Sequence, residues 1–145
     1  MSDNHMTEEK ALALMEEGFH CSQVVFGHLA GRLGFDEALA RRLTAGLGDG
    51  FCHGDTCGAV AGAVLALGLA QGFDKPDADT DAALFAAVRE LEKVFEEVHG
   101  SLLCRELLGG FDRADLSAVS GEHTYDNCPA YCTLACALAE KRLGL

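Results

Sequence analysis

Seven cysteines in 145 residues, with no CxxC pair among them, are the residues of this chain best suited to chemistry. A cysteine thiolate is a nucleophile, a redox centre and a soft metal ligand. Zinc ribbons and thioredoxin-like sites announce themselves through close CxxC pairs, which this chain lacks. Cys21, Cys57 and Cys104 stand in separate segments and can act together only if the fold gathers them. Two runs are tighter: Cys52-x4-Cys57, and Cys128-x3-Cys132-x3-Cys136 near the C-terminus. An odd number of cysteines fits poorly with a purely disulfide framework.

The elements that must position these thiols read as helices. No stretch alternates with the period of a strand, and apolar residues recur at helical spacing almost throughout. Thr7, followed by Glu8 and Glu9, is expected to cap a first helix running to about Leu33, with Leu14, Gly18, Cys21, Val25 and Leu29 on one face. Asp36 caps a second helix through Leu47, and a glycine-rich loop follows over 48–55. A third helix, from about Cys57 to Gln71, carries Gly58, Ala59, Gly62, Ala63, Ala66 and Gly68. Each glycine costs about 1 kcal/mol of helix propensity, so close backbone packing must compensate and this is expected to be the central buried helix. A linker with Pro76 leads to a long helix from about Asp79 to His99, buried through Leu84, Val88, Leu91, Phe95 and Val98. Ser101 can cap a short helix over 102–108, a polar loop reaches Asn127, and a last helix runs from Pro129 to about Leu143. The expected fold is a single all-α domain spanning 1–145, a compact bundle of five to six helices.

On those helices Cys57 follows Thr56, a plausible cap, Cys104 falls in the first turn after Ser101, and Cys128 precedes Pro129 and caps the last helix. Unpaired backbone N–H groups and the helix dipole favour negative charge at such places. Cys21 is expected in mid-helix, with Gly18 before it allowing another backbone to come close. These four form the candidate set, and without a metal Cys57 is expected to titrate below the usual value of about 8.5. Cys132 and Cys136 share a helix face with Ala and Leu and read as small packing residues. Cys52 suits either a further ligand or a spare thiol, and His20 and His53, each beside a cysteine, read as alternate ligands or, more often for a lone histidine, as merely polar residues. The absence of CxxCH excludes covalent haem of the usual kind. Gly46-Leu-Gly-Asp-Gly50 follows a helix and lacks a P-loop lysine, so it is no nucleotide loop.

Composition narrows the partners. The formal charge of −12, from 11 basic and 23 acidic residues, argues against nucleic acid and anionic membrane surfaces. The acidic start is wrong for a signal peptide, and the longest apolar run, Ala59 to Ala70, is too short to span a bilayer. A cytoplasmic protein is expected, with thiols kept reduced unless they are metal-bound or catalytic. The partners expected are a redox protein and a second copy of the chain in a homodimer.

Several stretches carry a resemblance: Gly18-Phe-His-Cys21, then Thr56-Cys-Gly-Ala-Val-Ala-Gly62, then Gly100-Ser-Leu-Leu-Cys104, and the Cys128 start of the last helix. Over about residues 11 to 138 the chain resembles the redox-active family named for its cysteine pattern, C-GCAxxG-C-C. It reads TCGAVAG where the family name reads GCAxxG, so the cysteine stays and the glycine beside it moves, which bears only on the local backbone approach. The family is similar to the non-haem portion of split-Soret cytochromes, where such cysteines accompany an iron–sulfur centre. That resemblance implies Cys21, Cys57, Cys104 and Cys128 as cluster ligands; Cys52 is an extra candidate only through its place in the glycine-rich loop.

Three chemistries follow. The first is a [2Fe–2S] or [4Fe–4S] cluster serving electron transfer. The second is a thiol–disulfide or sulfur-handling enzyme in which Cys57 attacks and a nearby cysteine such as Cys52 resolves. The third, a structural zinc site, is disfavoured because a bundle of this size folds without a metal.

Overall fold

A computed structural model describes residues 4–109 and 125–145. Among them lie seven α-helices and no strand: α1 (Glu8–Glu16), α2 (Cys21–Arg32), α3 (Glu37–Thr44), α4 (Gly58–Gln71), α5 (Ala78–His99), α6 (Cys104–Leu107) and α7 (Cys128–Leu143). The loop expected to reach Asn127 falls, over 110–124, outside the described residues. No helix among the described residues is long and apolar enough to cross a membrane.

The caps at Thr7 and Asp36 form as their side chains dictate. Thr7 Oγ1 accepts from the Lys10 N–H at 3.1 Å, and Asp36 Oδ1 from those of Ala38 and Leu39 at 2.8 and 3.3 Å. The long helix starts slightly before Asp79 because Asp77 caps it, accepting from Asp79 and Thr80. The expected first helix is two helices. Gly18, at φ +109°, ends α1 in a Schellman turn, in which Gly18 N–H donates to Met15 O and Phe19 N–H to Leu14 O. The chain restarts at His20, whose N–H donates to Gln23 Oε1 at 2.9 Å, and Cys21 opens α2.

The core sits around α4, which packs against α2, α5 and α7. Residues 58–63 of this helix are all buried, as are Ala66 and Leu67. A Cβ on Gly58 would lie 3.1 Å from Ser22 N, and one on Gly62 would lie 3.1 Å from both Phe26 N and Ser22 O. The two missing side chains, one turn apart on α4, therefore let its backbone touch that of α2. Ser22, fully buried at this contact, donates through Oγ to Thr44 O at 2.8 Å and ties in the end of α3. On α5 the buried stripe is Ala87, Leu91 and Phe95. Val98 was expected inside but is 59% exposed, because His99 continues the stripe instead and packs edge-on against Tyr131 at 4.7 Å. At the far end of α7 the buried Glu140 carboxylate pairs with Arg32 of α2, with His28 Nε2 at 3.5 Å and His5 Nδ1 at 3.4 Å.

Close packing of α2 on α4 makes a paired prediction. Gly62→Val should destabilise the protein by about 1–3 kcal/mol, since the added atoms meet backbone. Gly68→Ala, in a helical site whose Cβ meets nothing within 4 Å, should be neutral or stabilising by up to about 1 kcal/mol. Urea unfolding midpoints of the two variants read the difference directly.

Candidate functional site

Four helix starts converge on one cavity of about 790 Å³. Cys21 is the first residue of α2, Cys57 the residue that caps α4, Cys104 the first of α6 and Cys128 the first of α7. All four line the cavity, beside apolar groups such as Met15, Phe19 and Tyr131. Three details differ from expectation. Cys21 stands at a helix start because Gly18 breaks the first helix, and a Cβ on Gly18 would meet nothing within 4 Å. Cys57 takes the cap position expected for Thr56, and Asn127 takes the one expected for Cys128.

Cys57 and Cys104, distant in sequence, are set side by side by a short backbone pairing. Thr56 and Leu103 form an isolated antiparallel bridge, flanked by Cys57 N–H to Leu102 O and Cys104 N–H to Asp55 O, both 2.7 Å. Side chains alternate across such a pairing, so Cys57 and Cys104, each one residue past the bridge, project to the same side. Before it runs an unusual turn in which Asp49, Phe51 and Cys52 all hold left-handed backbone, φ 52°, 61° and 63°. Such a conformation costs an ordinary residue about 1–2 kcal/mol. The turn brings Asp49 to the cavity, where Tyr125 Oη donates to Asp49 Oδ1 at 3.2 Å, and seats Gly50 against the Cβ of Cys104.

The remaining thiols divide. Cys132, one turn after Cys128 on α7 and fully buried, lies against the Cys21 thiol, with its Sγ 4.0 Å from Cys21 O. It lies in the buried core outside the cavity lining, where it packs as a small residue and also touches the Cys21 thiol. The four-residue spacing from Cys128 was the available signal of that contact. Cys136 is buried away from the cavity, near Glu140. Cys52 is exposed and points its Sγ at Gly46 O, 3.4 Å away, outside the cavity lining. His20 lines the cavity and His53 does not. All seven cysteines are free thiols.

The electrostatics oppose ionisation of these thiols in the metal-free chain. Burial pushes Cys57 up to about 11, outweighing the downward pull of the Val60 and Ala59 backbone N–H groups. The expectation of a lowered Cys57 is thus overturned: only 3% of the residue is exposed, and desolvation exceeds what the helix start returns. Burial, with Cys57 and Asp49 adding negative charge, pushes Cys104 to about 12. Cys128 is driven far up by its hydrogen bond with Cys21 and by burial. Cys21 is pulled down by Cys128 but pushed further up by Cys132 and by burial, and ends well above the ordinary value. Five acids, Glu8, Glu9, Glu16, Asp49 and Asp126, and no Lys or Arg, stand among the described residues lining the cavity. The four thiols do not form a ready-made cage: among the described residues no three His, Cys, Asp or Glu side chains are grouped as if to hold a metal ion.

Fold and site together define a class: an all-helical, cysteine-rich protein whose thiols meet at helix starts around one cavity. The sequence pattern of the family described as putative redox-active protein (C_GCAxxG_C_C) matches residues 19–142, and the chain belongs to that family. No curated protein and no solved structure matches it.

The raised thiols make a pH prediction for the metal-free protein. A thiol whose pKa is higher in the folded state adds stability that is complete below its unfolded pKa and is lost as pH rises toward the folded value. For Cys57 and Cys104 that window runs from about 9 to about 11 and 12. The urea midpoint should therefore hold steady from pH 7 to 8 and fall steeply above 9. A midpoint that rises over that range would contradict the burial argument.

Proposed function

We propose that this protein is an iron–sulfur electron-transfer protein, with Cys21, Cys57, Cys104 and Cys128 as the cluster ligands. The observation that carries the reading is the meeting of these four thiols, each at a helix start, on one largely apolar cavity. The donor set fits. Four soft thiols suit a [2Fe–2S] or [4Fe–4S] cluster, and a cationic centre supplies the positive charge that the cavity's own side chains lack. When bound, such a cluster supplies one-electron transfer without rearrangement of covalent bonds.

The chain's own residues have definable tasks in this reading. The thiols of Cys21, Cys57, Cys104 and Cys128 would hold the cluster as thiolates, releasing their protons to solvent, and its positive charge would offset the burial cost that keeps them protonated alone. The N–H groups of Ala59 and Val60 face the Cys57 sulfur and stabilise its thiolate. Asp49 and Asp126 add negative charge beside Cys128 and favour the more oxidised state. Tyr131, whose Oη donates to Leu107 O at 3.2 Å, packs between α5 and α6 and helps exclude water. A thiolate-held cluster suits the reducing cytoplasm, with separate proteins as electron donor and acceptor. A thiol–disulfide role for Cys57 is less well supported, because a buried thiol raised to about 11 is a poor nucleophile at neutral pH.

Ligand variants test the assignment. Cys57→Ser and Cys104→Ser should lose most of the iron taken up during anaerobic reconstitution, since an alcohol is a harder and weaker ligand. Cys52→Ala and Cys136→Ala should keep wild-type iron content, the latter at a cost of about 1 kcal/mol in stability. Full iron retention in the two serine variants would contradict the ligand assignment, as would equal loss from all four proteins.

A further inference from the structure

The face of α3 turned away from the core is apolar. Ala40 and Thr44 are buried, whereas Phe35, Leu39 and Leu43 are 52%, 51% and 67% exposed. These three recur at intervals of four residues, so they form one stripe along the helix and the residue before its cap. A helix that leaves its large apolar residues in solvent has an unpartnered face. The sequence of this element also says what covers it. Read outward from Leu39, the segment Phe35-Asp-Glu-Ala-Leu39-Ala-Arg-Arg-Leu43 is an apolar palindrome with inverted charge. Phe35 mirrors Leu43, Asp36 mirrors Arg42, Glu37 mirrors Arg41 and Ala38 mirrors Ala40.

We propose that α3 is the contact of a homodimer, two copies packing antiparallel about a two-fold axis at Leu39. A two-fold contact brings residue i of one copy to residue j of the other and j to i, which this segment satisfies in both shape and charge. Leu39 meets its own copy, Phe35 meets Leu43 of the partner subunit, and Arg42 meets Asp36 of the partner subunit. Arg42 is exposed, and its guanidinium has no hydrogen bond or ion pair among the described residues. Asp36 spends Oδ1 on the cap, which leaves Oδ2 for a guanidinium. Arg41, by contrast, is committed within its own chain, over the Phe19 ring at 4.6 Å and 3.8 Å from Glu37. One short helix per copy makes a small contact, so the dimer belongs to the weak, concentration-dependent class. In a chain with 23 acidic and 11 basic residues, the Arg42 pairing also keeps the contact from being purely repulsive.

Sedimentation velocity of the full chain over about 1–500 µM tests the proposal, because a contact of this size dissociates within that range. Wild type should pass from monomer to dimer, and Leu43→Glu should raise the dissociation constant by about a hundredfold, since it sets a charge against an apolar partner. Register is read separately in a Cys52→Ala background. There Leu39→Cys should give a disulfide-linked dimer with a mild oxidant, and Leu43→Cys, which faces residue 35 of the other copy, should not. A chain monomeric throughout, a dimer indifferent to Leu43→Glu, or cross-linking by the residue-43 variant but not the residue-39 one would each overturn the proposal.

Discussion

Backbone contact between α2 and α4 sets the positions from which the rest of the structure follows. Gly58 and Gly62 remove the side chains that would hold the helices apart, and Ser22 fills the space with a small group bonded to Thr44. Because the contact lies at the starts of both helices, it fixes Cys21 and Cys57 relative to each other. Packed on both α2 and α4, α7 then carries Cys128 to the same place and Cys132 behind Cys21. The bridge of Thr56 with Leu103 adds Cys104. Placing glycines here exchanges helix propensity for proximity, and proximity is what four thiols from separate segments require.

That same proximity creates an electrostatic problem. Cys57, Cys104 and Cys128 are buried and Cys21 is half-buried, each thiolate would repel the next, and Asp49 and Asp126 add to the repulsion. Backbone N–H groups at the helix starts answer part of this, as Val60 and Ala59 do for Cys57, but burial outweighs them. Neutral thiols are one resolution, and a bound cationic centre is the other. The acid-rich cavity lining favours the second over any role that needs a free thiolate at neutral pH. Cys52 differs in kind: exposed and held on a left-handed turn, it is the accessible thiol of the chain.

Much of this architecture is legible in the sequence, and the misses have physical causes. Thr7 and Asp36 are readable as caps because their side chains bond local backbone, and α4 as the central helix because only close packing tolerates so many small residues. The break at Gly18 hides inside an apolar period that continues in phase from α1 into α2. A bridge of one residue pair has no alternating pattern to betray it, so the approach of Cys104 to Cys57 is invisible in sequence. Cys132 shows how a cysteine on an apolar face looks the same whether it packs against alanine or another thiol. The raised Cys57 was missed because dipole reasoning is local, whereas desolvation depends on every helix that covers the site. Val98 misled for a similar reason: helical spacing allowed it inside, and the ring of His99 took the place.

The central claim is that the four gathered thiols hold an iron–sulfur cluster. Iron and acid-labile sulfide content, measured with the visible spectrum on protein purified without oxygen, tests it most directly. The account predicts equal amounts of iron and sulfide, two or four of each per chain, and a broad sulfur-to-iron absorption in the visible that bleaches on reduction. Colourless protein that stays free of iron after anaerobic reconstitution with iron and sulfide, with every thiol titratable on unfolding, would contradict it.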